Sequence, residues 1–252
     1  MYSTPRMNVY RLYVWAAFFP ATAYLLWERP DLLWVTLAVY CVQQLVGFNA
    51  YLHRLVSHRS YETYPPVEFV MGILSVLCLT GSPISWAWIH RAHHRYSDTE
   101  KDPHCHRVVG HWKALFCLYH LEHDGRRVAM KDVLKDPIMV FMDRWYFYIH
   151  ALAVVGLYVL GGLDLVLAGY VLPAALHAFL IAYVLGIFAH QWGYRNYETK
   201  DHSKNSLVTH ILTVGDGWHN NHHAYPGRYS FQHKWWELDP TAWFIWVIKR
   251  RG

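Results

Sequence analysis

The residues best suited to chemistry in this chain are histidines, of which there are nineteen. Nine of them stand in short clusters within "HRLVSH", "HRAHH", "FAHQW" and "HNNHH": His53, His58, His90, His93, His94, His190, His219, His222 and His223. Adjacent neutral imidazoles make a poor acid–base pair, but they are good ligands for iron, copper or zinc. The clusters therefore predict metal ligation.

The spacing of these histidines separates two kinds of cluster. Residues three and four apart share a helix face, which predicts that His90, His93 and His94 form one group and that "HNNHH" repeats it. His53 and His58 lie five apart, about 140° around an ideal helix, so they can share a centre only at a frayed or distorted helix end. Nine imidazoles exceed the roughly four to six ligands of one ion. Two metals with nearly all-nitrogen ligation are the direct inference.

A metal transporter or metal sensor is the competing interpretation. It would carry its ligands midway along membrane helices, on a path through the bilayer. The apolar runs of this chain hold only His150 and His177, which we expect to be amphipathic residues at the membrane surface. The transport interpretation is therefore disfavoured.

The elements that position these histidines are predicted to be membrane helices. The chain has 252 residues, 54% hydrophobic and only 16% charged, whereas ordinary soluble domains have about 25% charged residues. A membrane-spanning helix needs about 20 mainly apolar residues. Four runs qualify, at 9–27, 31–52, 145–162 and 166–189. Short connections join them in pairs, which predicts two helical hairpins.

Lysine and arginine set the expected orientation, because cytoplasmic flanks carry the excess of both. Residues 53–144 hold twelve and residues 190–252 hold eight, whereas the two hairpin turns offer only Arg29. Both termini and a cap formed by 53–144 and 190–252 are therefore predicted to be cytoplasmic. This topology accounts for the net charge of +5, so no nucleic-acid partner is expected.

A fifth apolar run covers residues 67–89. If it crossed the bilayer, His53 and His90 would lie on opposite faces and could not share a site. Gly81, Ser82 and Pro83 would also break a continuous helix. We therefore predict an interfacial or re-entrant segment.

The motifs "HRLVSH", "HRAHH" followed by "SDTEKDPH", "HQWGYR" and "GDGWHNNHHAYP" resemble those of the membrane fatty-acyl desaturases, the stearoyl-type group with three histidine boxes. The resemblance runs from about residue 45 to 245. It implies a single desaturase domain over 1–252, an all-α integral membrane protein with four transmembrane helices below a cytoplasmic helical cap. All nine clustered histidines match ligands of a di-iron centre. The aromatic tail at residues 229–246 is similar to that of bacterial members, which favours a bacterial inner membrane.

The resemblance also implies the reaction. Members of this group use O2 and two electrons from a ferredoxin or from cytochrome b5, with its reductase, to remove two hydrogens from a long acyl chain. Acyl-lipid, acyl-carrier protein and acyl-CoA are the candidate carriers of that chain. Acetylenase and hydroxylase activities stay open, because histidine positions do not separate them.

Two departures from the family pattern affect these expectations. Trp86, Ala87, Trp88 and Ile89 stand where acyl-CoA relatives have an Arg-Asp pair facing the coenzyme, which favours an acyl-lipid or acyl-carrier protein substrate. Gly186 stands where those relatives have an asparagine that holds a water on one iron, so one metal is expected to be more open.

Further candidates lie beside the histidine clusters. Asp98, Asp102 and Asp216 either orient imidazole N–H groups or act as ordinary loop and capping residues. Trp86 and Trp88 are candidate substrate contacts, and Tyr194 and Arg195 are candidates for contacting the carrier's polar head.

Overall fold

A computed structural model describes residues 4–103, 105, 110–116 and 129–251. These residues are mostly helical and form no β-strand, only three isolated bridges. The α-helices are α1 (Thr4–Glu28), α2 (Leu33–Val42), α3 (Pro65–Val76), α4 (Pro83–Tyr96), α5 (His111–Leu115), α6 (Lys131–Lys135), α7 (Pro137–Arg144), α8 (Tyr146–Val166), α9 (Leu172–Phe179), α10 (Leu207–Leu212), α11 (His219–Ala224) and α12 (Pro240–Ile248). Three π-helical segments, named π1 to π3 here, are Gln43–Ser57, Leu167–Val171 and Leu180–Leu185.

Two helical runs in the described residues are long and apolar enough to cross a membrane, Pro30–Ser57 and Tyr146–His190. The second run has 45 residues, about 67 Å at 1.5 Å per residue, twice the thickness of a bilayer core. It is interrupted at Gly161 and Gly162, whose backbone angles are not helical. The Tyr170 hydroxyl lies 2.7 Å from Nδ1 of His150, so the chain folds back there into a hairpin.

The two connections predicted to be hairpin turns lie together. Arg29 forms an ion pair with Asp164, and the Tyr24 hydroxyl donates a hydrogen bond to Asp164 at 2.9 Å. From this end α2 runs alongside the π2–α9 segment, where the Thr36 hydroxyl donates to the Ala168 carbonyl at 2.8 Å. Four helical stretches therefore coincide with the four predicted runs, and the two helices that qualify as candidate spans by length and composition cover the last three of these runs.

The apolar run at 67–89 is broken as the sequence predicts. α3 ends at Val76, Leu79 and Gly81 have positive φ angles of 61° and 110°, and α4 begins at Pro83 with the Ser82 side chain as its cap. Both helices pack against π1. The reversal brings α4, which carries His90, back beside π1, which carries His53.

The helix that begins at Leu33 changes from α-helical to π-helical winding before it reaches His53 and His58. α2 continues directly into π1, in which backbone hydrogen bonds join residues five apart. Residues i and i+5 are then roughly one turn apart, on the same side of the helix. This is the local distortion that the spacing of His53 and His58 requires, and their ring centroids lie 5.3 Å apart.

The expectation that His150 and His177 lie at the membrane surface is wrong. Both side chains are buried inside the helical bundle. His150 is held by Tyr170, which also meets the Tyr10 hydroxyl at 2.6 Å. His177 packs edge-on against Phe48, with ring centroids 5.0 Å apart. The folded-back helices enclose both side chains. The sequence pattern of one helix cannot predict this enclosure, because it depends on packing between helices.

Candidate metal centre

The structure brings all nine clustered histidines together as two adjacent groups. The five-histidine site comprises His53, His58, His90, His94 and His222, and the four-histidine site comprises His93, His190, His219 and His223. Within each group, one ring nitrogen from every member lies within 4.8 Å of all the others. Each group could hold a metal ion.

The two sites do not follow the sequence motifs, which corrects the expectation that each triplet forms one cluster. On α4, His90 and His94 are four residues apart and serve one site, whereas His93 turns to the other. On α11 the pair His219 and His223 serves the four-histidine site, and His222 serves the five-histidine site. Each triplet thus gives one site an i, i+4 pair and contributes its third imidazole to the other site.

The ring nitrogens of each site lie at distances from one another that suit the binding of a metal ion. In the five-histidine site the Nε2–Nε2 distances are 2.9 Å for His53–His222, 2.8 Å for His58–His90, 3.0 Å for His90–His94 and 2.8 Å for His94–His222. In the four-histidine site the Nε2–Nε2 distances of His190–His219 and His219–His223 are both 3.0 Å. With metal–nitrogen bonds of about 2.0–2.1 Å, neighbouring ligands stand about 2.9 Å apart at right angles and about 3.3 Å apart in a tetrahedron. The observed spacing is therefore compatible with one metal ion in each site.

Four carboxylates orient the imidazoles from behind. Nδ1 of His53 meets Asp216 at 2.6 Å, and Nδ1 of His93 meets Asp102 at 2.9 Å. The other two pairs are His190 with Asp98 at 2.9 Å and His223 with Asp201 at 2.8 Å. A carboxylate that accepts the Nδ1 proton leaves Nε2 with its lone pair aimed at the metal position. Asp98, Asp102 and Asp216 therefore hold imidazoles, which is the first of the two roles considered for them.

Asp216 is itself held by a buried arginine. Arg54 donates to Asp216 at 3.4 Å and to both oxygens of Asp239, at 3.0 and 2.9 Å, and all three side chains are fully buried. Burial alone would raise the pKa of Asp216, but His53 and Arg54 together lower it. The carboxylate therefore stays ionised and keeps accepting the His53 proton.

Burial also sets the charge of the imidazoles. It lowers the pKa of His58, His94 and His219 well below 6.5, and neighbouring imidazoles lower it further. Burial lowers the pKa of His93 as well, but Asp102, Asp98 and Asp201 together outweigh it and the net shift is upward. The first three rings are neutral at pH 7, which is the form that binds a metal.

A cavity opens onto both sites. Its wall includes His53 and His90 from the five-histidine site and His93, His190 and His219 from the four-histidine site. The rest of the wall is largely apolar, with Phe48, Trp86, Ile181 and Leu185 among its residues. An apolar chain lying in this cavity would pass beside both metal positions.

Gly186 lies in the cavity wall beside the four-histidine site. A Cβ added there would stand 2.7 Å from the Ala182 carbonyl oxygen, so a side chain would displace the backbone. Of the other predicted contacts, Trp86 is in the wall, but Trp88, Tyr194 and Arg195 are not. Tyr194 donates to Glu237 at 2.5 Å and Arg195 to the Thr199 carbonyl at 3.0 Å. Contact of these two residues with a carrier's head stays a prediction.

Sequence reasoning missed Asp201 and Arg54. Asp201 lies eleven residues after His190 and eighteen before His219, so nothing in its position marks it as a partner of His223. Arg54 directly follows His53 and was counted only as a cytoplasmic charge. Its complete burial beside two aspartates was the signal, and only the fold shows it.

The fold and the site define a class of protein: a helical protein in which two all-histidine sites, each able to hold a metal, share one apolar cavity. The family model for fatty acid desaturases matches residues 30–246. An sn-1 stearoyl-lipid 9-desaturase of Anabaena variabilis is 35% identical over 86% of this chain and 80% of that protein.

Two plant relatives extend the comparison. An acyl-CoA C20 Delta5-desaturase of Anemone leveillei is 33% identical over 96% of this chain and 77% of its own length. The Delta-9 acyl-lipid desaturase 2 of Arabidopsis thaliana is 30% identical over 89% of this chain and 73% of its own length. The chain belongs to the fatty acid desaturase family. It is a membrane enzyme, an oxidoreductase acting on acyl chains.

Proposed function

We propose that this enzyme uses two iron ions and O2 to introduce a double bond into a long acyl chain, with the nine clustered histidines as the iron ligands. The observation that carries the proposal is the shared cavity, because one apolar chain in it would lie beside both sites. A bound iron pair would supply the O2-derived oxidant that unactivated C–H bonds require. Loss of two hydrogens from the chain, with two electrons and two protons from outside, reduces one O2 to two waters.

The chain's own residues position the reactants. Phe48, Trp86, Ile181 and Leu185 hold the acyl chain and exclude water from the reacting carbons. Four aspartates keep Nε2 of His53, His93, His190 and His223 pointed at the metal positions. Among the described residues, the four-histidine site has one protein ligand fewer than the five-histidine site, which leaves room beside Gly186 for a ligand that is not part of the protein.

For the membrane arrangement we propose four spans in two hairpins, with the cap, both termini and the metal centre in the cytoplasm, in a bacterial inner membrane. The fold-back at Gly161 and Gly162, together with the Arg29–Asp164 ion pair, supports one end of the bundle carrying both hairpin turns. His53 lies more than twenty residues along the helix from Pro30, which is about the thickness of the bilayer core. The positive residues that flank the metal centre support the orientation.

We propose a membrane lipid as the carrier of the acyl chain, with acyl-carrier protein as the second candidate. The stretch from Trp86 to Ile89 on α4 is buried and uncharged, so it offers no charged partner to a coenzyme head. Relatives named for acyl-lipid and for acyl-CoA substrates both occur, and the test below includes all three carriers. The electron donor is a ferredoxin, or a cytochrome b5 with its reductase.

The test is expression in an iron-replete host, followed by iron analysis and mass spectrometry of products from acyl-lipid, acyl-CoA and acyl-carrier protein. Two irons per chain and an O2-dependent double bond on the lipid-borne chain are expected. A hydroxyl group or triple bond as the main product would establish the hydroxylase or acetylenase alternative. Absence of O2-dependent product with every carrier and a competent reductase would overturn the enzyme assignment for these sites.

Variants at single histidines provide the control. His94→Ala and His223→Ala each remove one ligand from a different site and should lower iron content and abolish product. His202→Ala changes an exposed histidine outside the two histidine sites, and this variant should retain its iron content and its product. Equal losses in all three variants would contradict the ligand assignment.

A further inference from the structure

The short helix α10 has an exposed apolar face in a part of the chain that the metal centre does not use. Leu207 is 58% exposed, and Val208 and Ile211 are each 66% exposed. Residues 205–215 contain no lysine, arginine, aspartate or glutamate. The one histidine among them, His210, is buried and stacks on Trp218 with ring centroids 4.4 Å apart. A solvent-facing helix of a cytoplasmic cap would be expected to expose charged residues.

The backbone carbonyl groups at the end of α10 and just after it have unusual hydrogen-bond donors. The four consecutive carbonyls from Leu212 to Gly215 each accept a hydrogen bond from a side chain elsewhere in the fold. The Tyr40 hydroxyl donates to the Leu212 carbonyl. The Thr213 carbonyl accepts from Gln44 at 3.2 Å and from Asn49 at 2.9 Å, and the Val214 carbonyl accepts from Asn49 at 3.0 Å and from Thr241 at 3.3 Å. The Gly215 carbonyl accepts from Arg54 at 3.1 Å. Non-helical backbone next to water needs no such partners, whereas backbone at membrane depth needs all of them.

The elements that α10 contacts are those proposed to span the membrane. Tyr40 belongs to α2, and Val214 packs in one cluster with Tyr40, Leu180 and Val184. These partners lie within the predicted spans at 31–52 and 166–189, not at their cytoplasmic ends. The exposed side of α10 therefore continues the outer surface of the helical bundle.

We propose that residues 206–215 dip from the cap into the bilayer and that the exposed face of α10 contacts the acyl chains of membrane lipids. The inference rests on the membrane arrangement given under the proposed function. Gln44 and Asn49 donate hydrogen bonds to the carbonyls of this dip. The next residue, Asp216, holds His53, so the lipid-embedded segment is continuous with the support of the five-histidine site.

The test places a photo-crosslinking amino acid, benzoylphenylalanine, at Ile211 of the full chain reconstituted in phosphatidylcholine vesicles. Adducts are identified by mass spectrometry after irradiation. Leu152, 72% exposed in the third predicted span, is the lipid-facing control, and Glu198, whose side chain is 93% exposed, is the cap control. The same probe at Val208 is a second position, and iron content confirms that each variant is folded.

Lipid adducts at Ile211 in a yield similar to that at Leu152, and far above that at Glu198, are the expected result. Lipid adducts at Leu152 but not at Ile211 or Val208 would overturn the dip and leave the four-span arrangement standing. Cross-links from Ile211 to a second copy of the chain, without lipid adducts, would also overturn it. Absence of lipid adducts at Leu152 would overturn the membrane arrangement and the dip together.

Discussion

His53 and Asp216 are 163 residues apart in the sequence and meet at 2.6 Å between Nδ1 and Oδ2. The opposite nitrogen of the same imidazole, Nε2, lies 2.9 Å from Nε2 of His222. One carboxylate, in the loop before α11, therefore fixes the tautomer and the direction of an imidazole supplied by π1. Because both side chains are buried, neither has water as an alternative partner.

Asp216→Asn should weaken iron binding at the five-histidine site. The amide can no longer hold the His53 proton by charge, and loss of such partners costs about 10–100-fold in metal affinity or activity. Asp239→Asn is the matched control, because Asp239 also pairs with Arg54 but contacts no imidazole of either site. Iron titration and turnover should separate the two variants. Equal losses of iron affinity would mean that Arg54 pairing, not imidazole orientation, is what matters.

Asp201→Asn should act in the same way on the four-histidine site, through His223. Burial raises the pKa of Asp201, but the hydrogen bond and charge of His223 and the hydrogen bonds from Ser203 together outweigh it. The net shift of the pKa is downward, so the wild-type side chain is a carboxylate at pH 7. We expect iron content to fall from two towards one per chain. Glu198→Gln, in the same loop and exposed, should retain both irons. Full iron content in Asp201→Asn would show that the contact is dispensable.

Gly186→Ala should disturb the four-histidine site without touching a ligand. The added Cβ would lie 2.7 Å from the Ala182 carbonyl oxygen, so the end of π3 must shift, and His190 follows four residues later. Gly156→Ala on α8 adds a Cβ with nothing within 4 Å and should leave iron content unchanged. Iron analysis and thermal unfolding of both variants check the prediction. Unchanged iron in Gly186→Ala would mean that the segment has room to adjust.

Asp132 should contribute stability that depends on pH. Hydrogen bonds from Arg91 and Arg59 lower the pKa of Asp132 well below 3.8, against the opposing effect of burial. The contribution is complete above about pH 4, the unfolded value, and is lost as the pH falls further. Since the side chain is 38% exposed, screening limits the gain to about 1 kcal/mol, or about 2–4 °C in Tm.

The variant Asp132→Asn tests this contribution. Its Tm should lie below that of the wild type at pH 7, with metal-free protein used for both so that iron release does not interfere. The gap should narrow as the pH is lowered below 4. A gap that stays constant down to pH 3 would show that the arginines are held by other partners, such as Ser57 and Ala129 carbonyls for Arg91.

The sequence by itself determined the nine clustered histidines, the apolar runs and the break after Thr80, because each depends on residue type and short-range spacing. Imidazoles in clusters indicate metals, about 20 apolar residues make a span, and Gly81 to Pro83 interrupt a helix wherever they occur. The π-helical winding at His53 could be anticipated only as an unspecified distortion, because the spacing of five demands a change but does not name it.

Only the tertiary structure decided how the nine histidines divide into five and four, since that depends on how α4 and α11 are rotated against π1. It also decided the roles of Asp201 and Arg54 and the burial of His150 and His177. These features join residues far apart in the chain, and no local pattern encodes such distances. The chemistry of the site follows from residue types, whereas the assignment of each histidine to one of the two sites follows from packing.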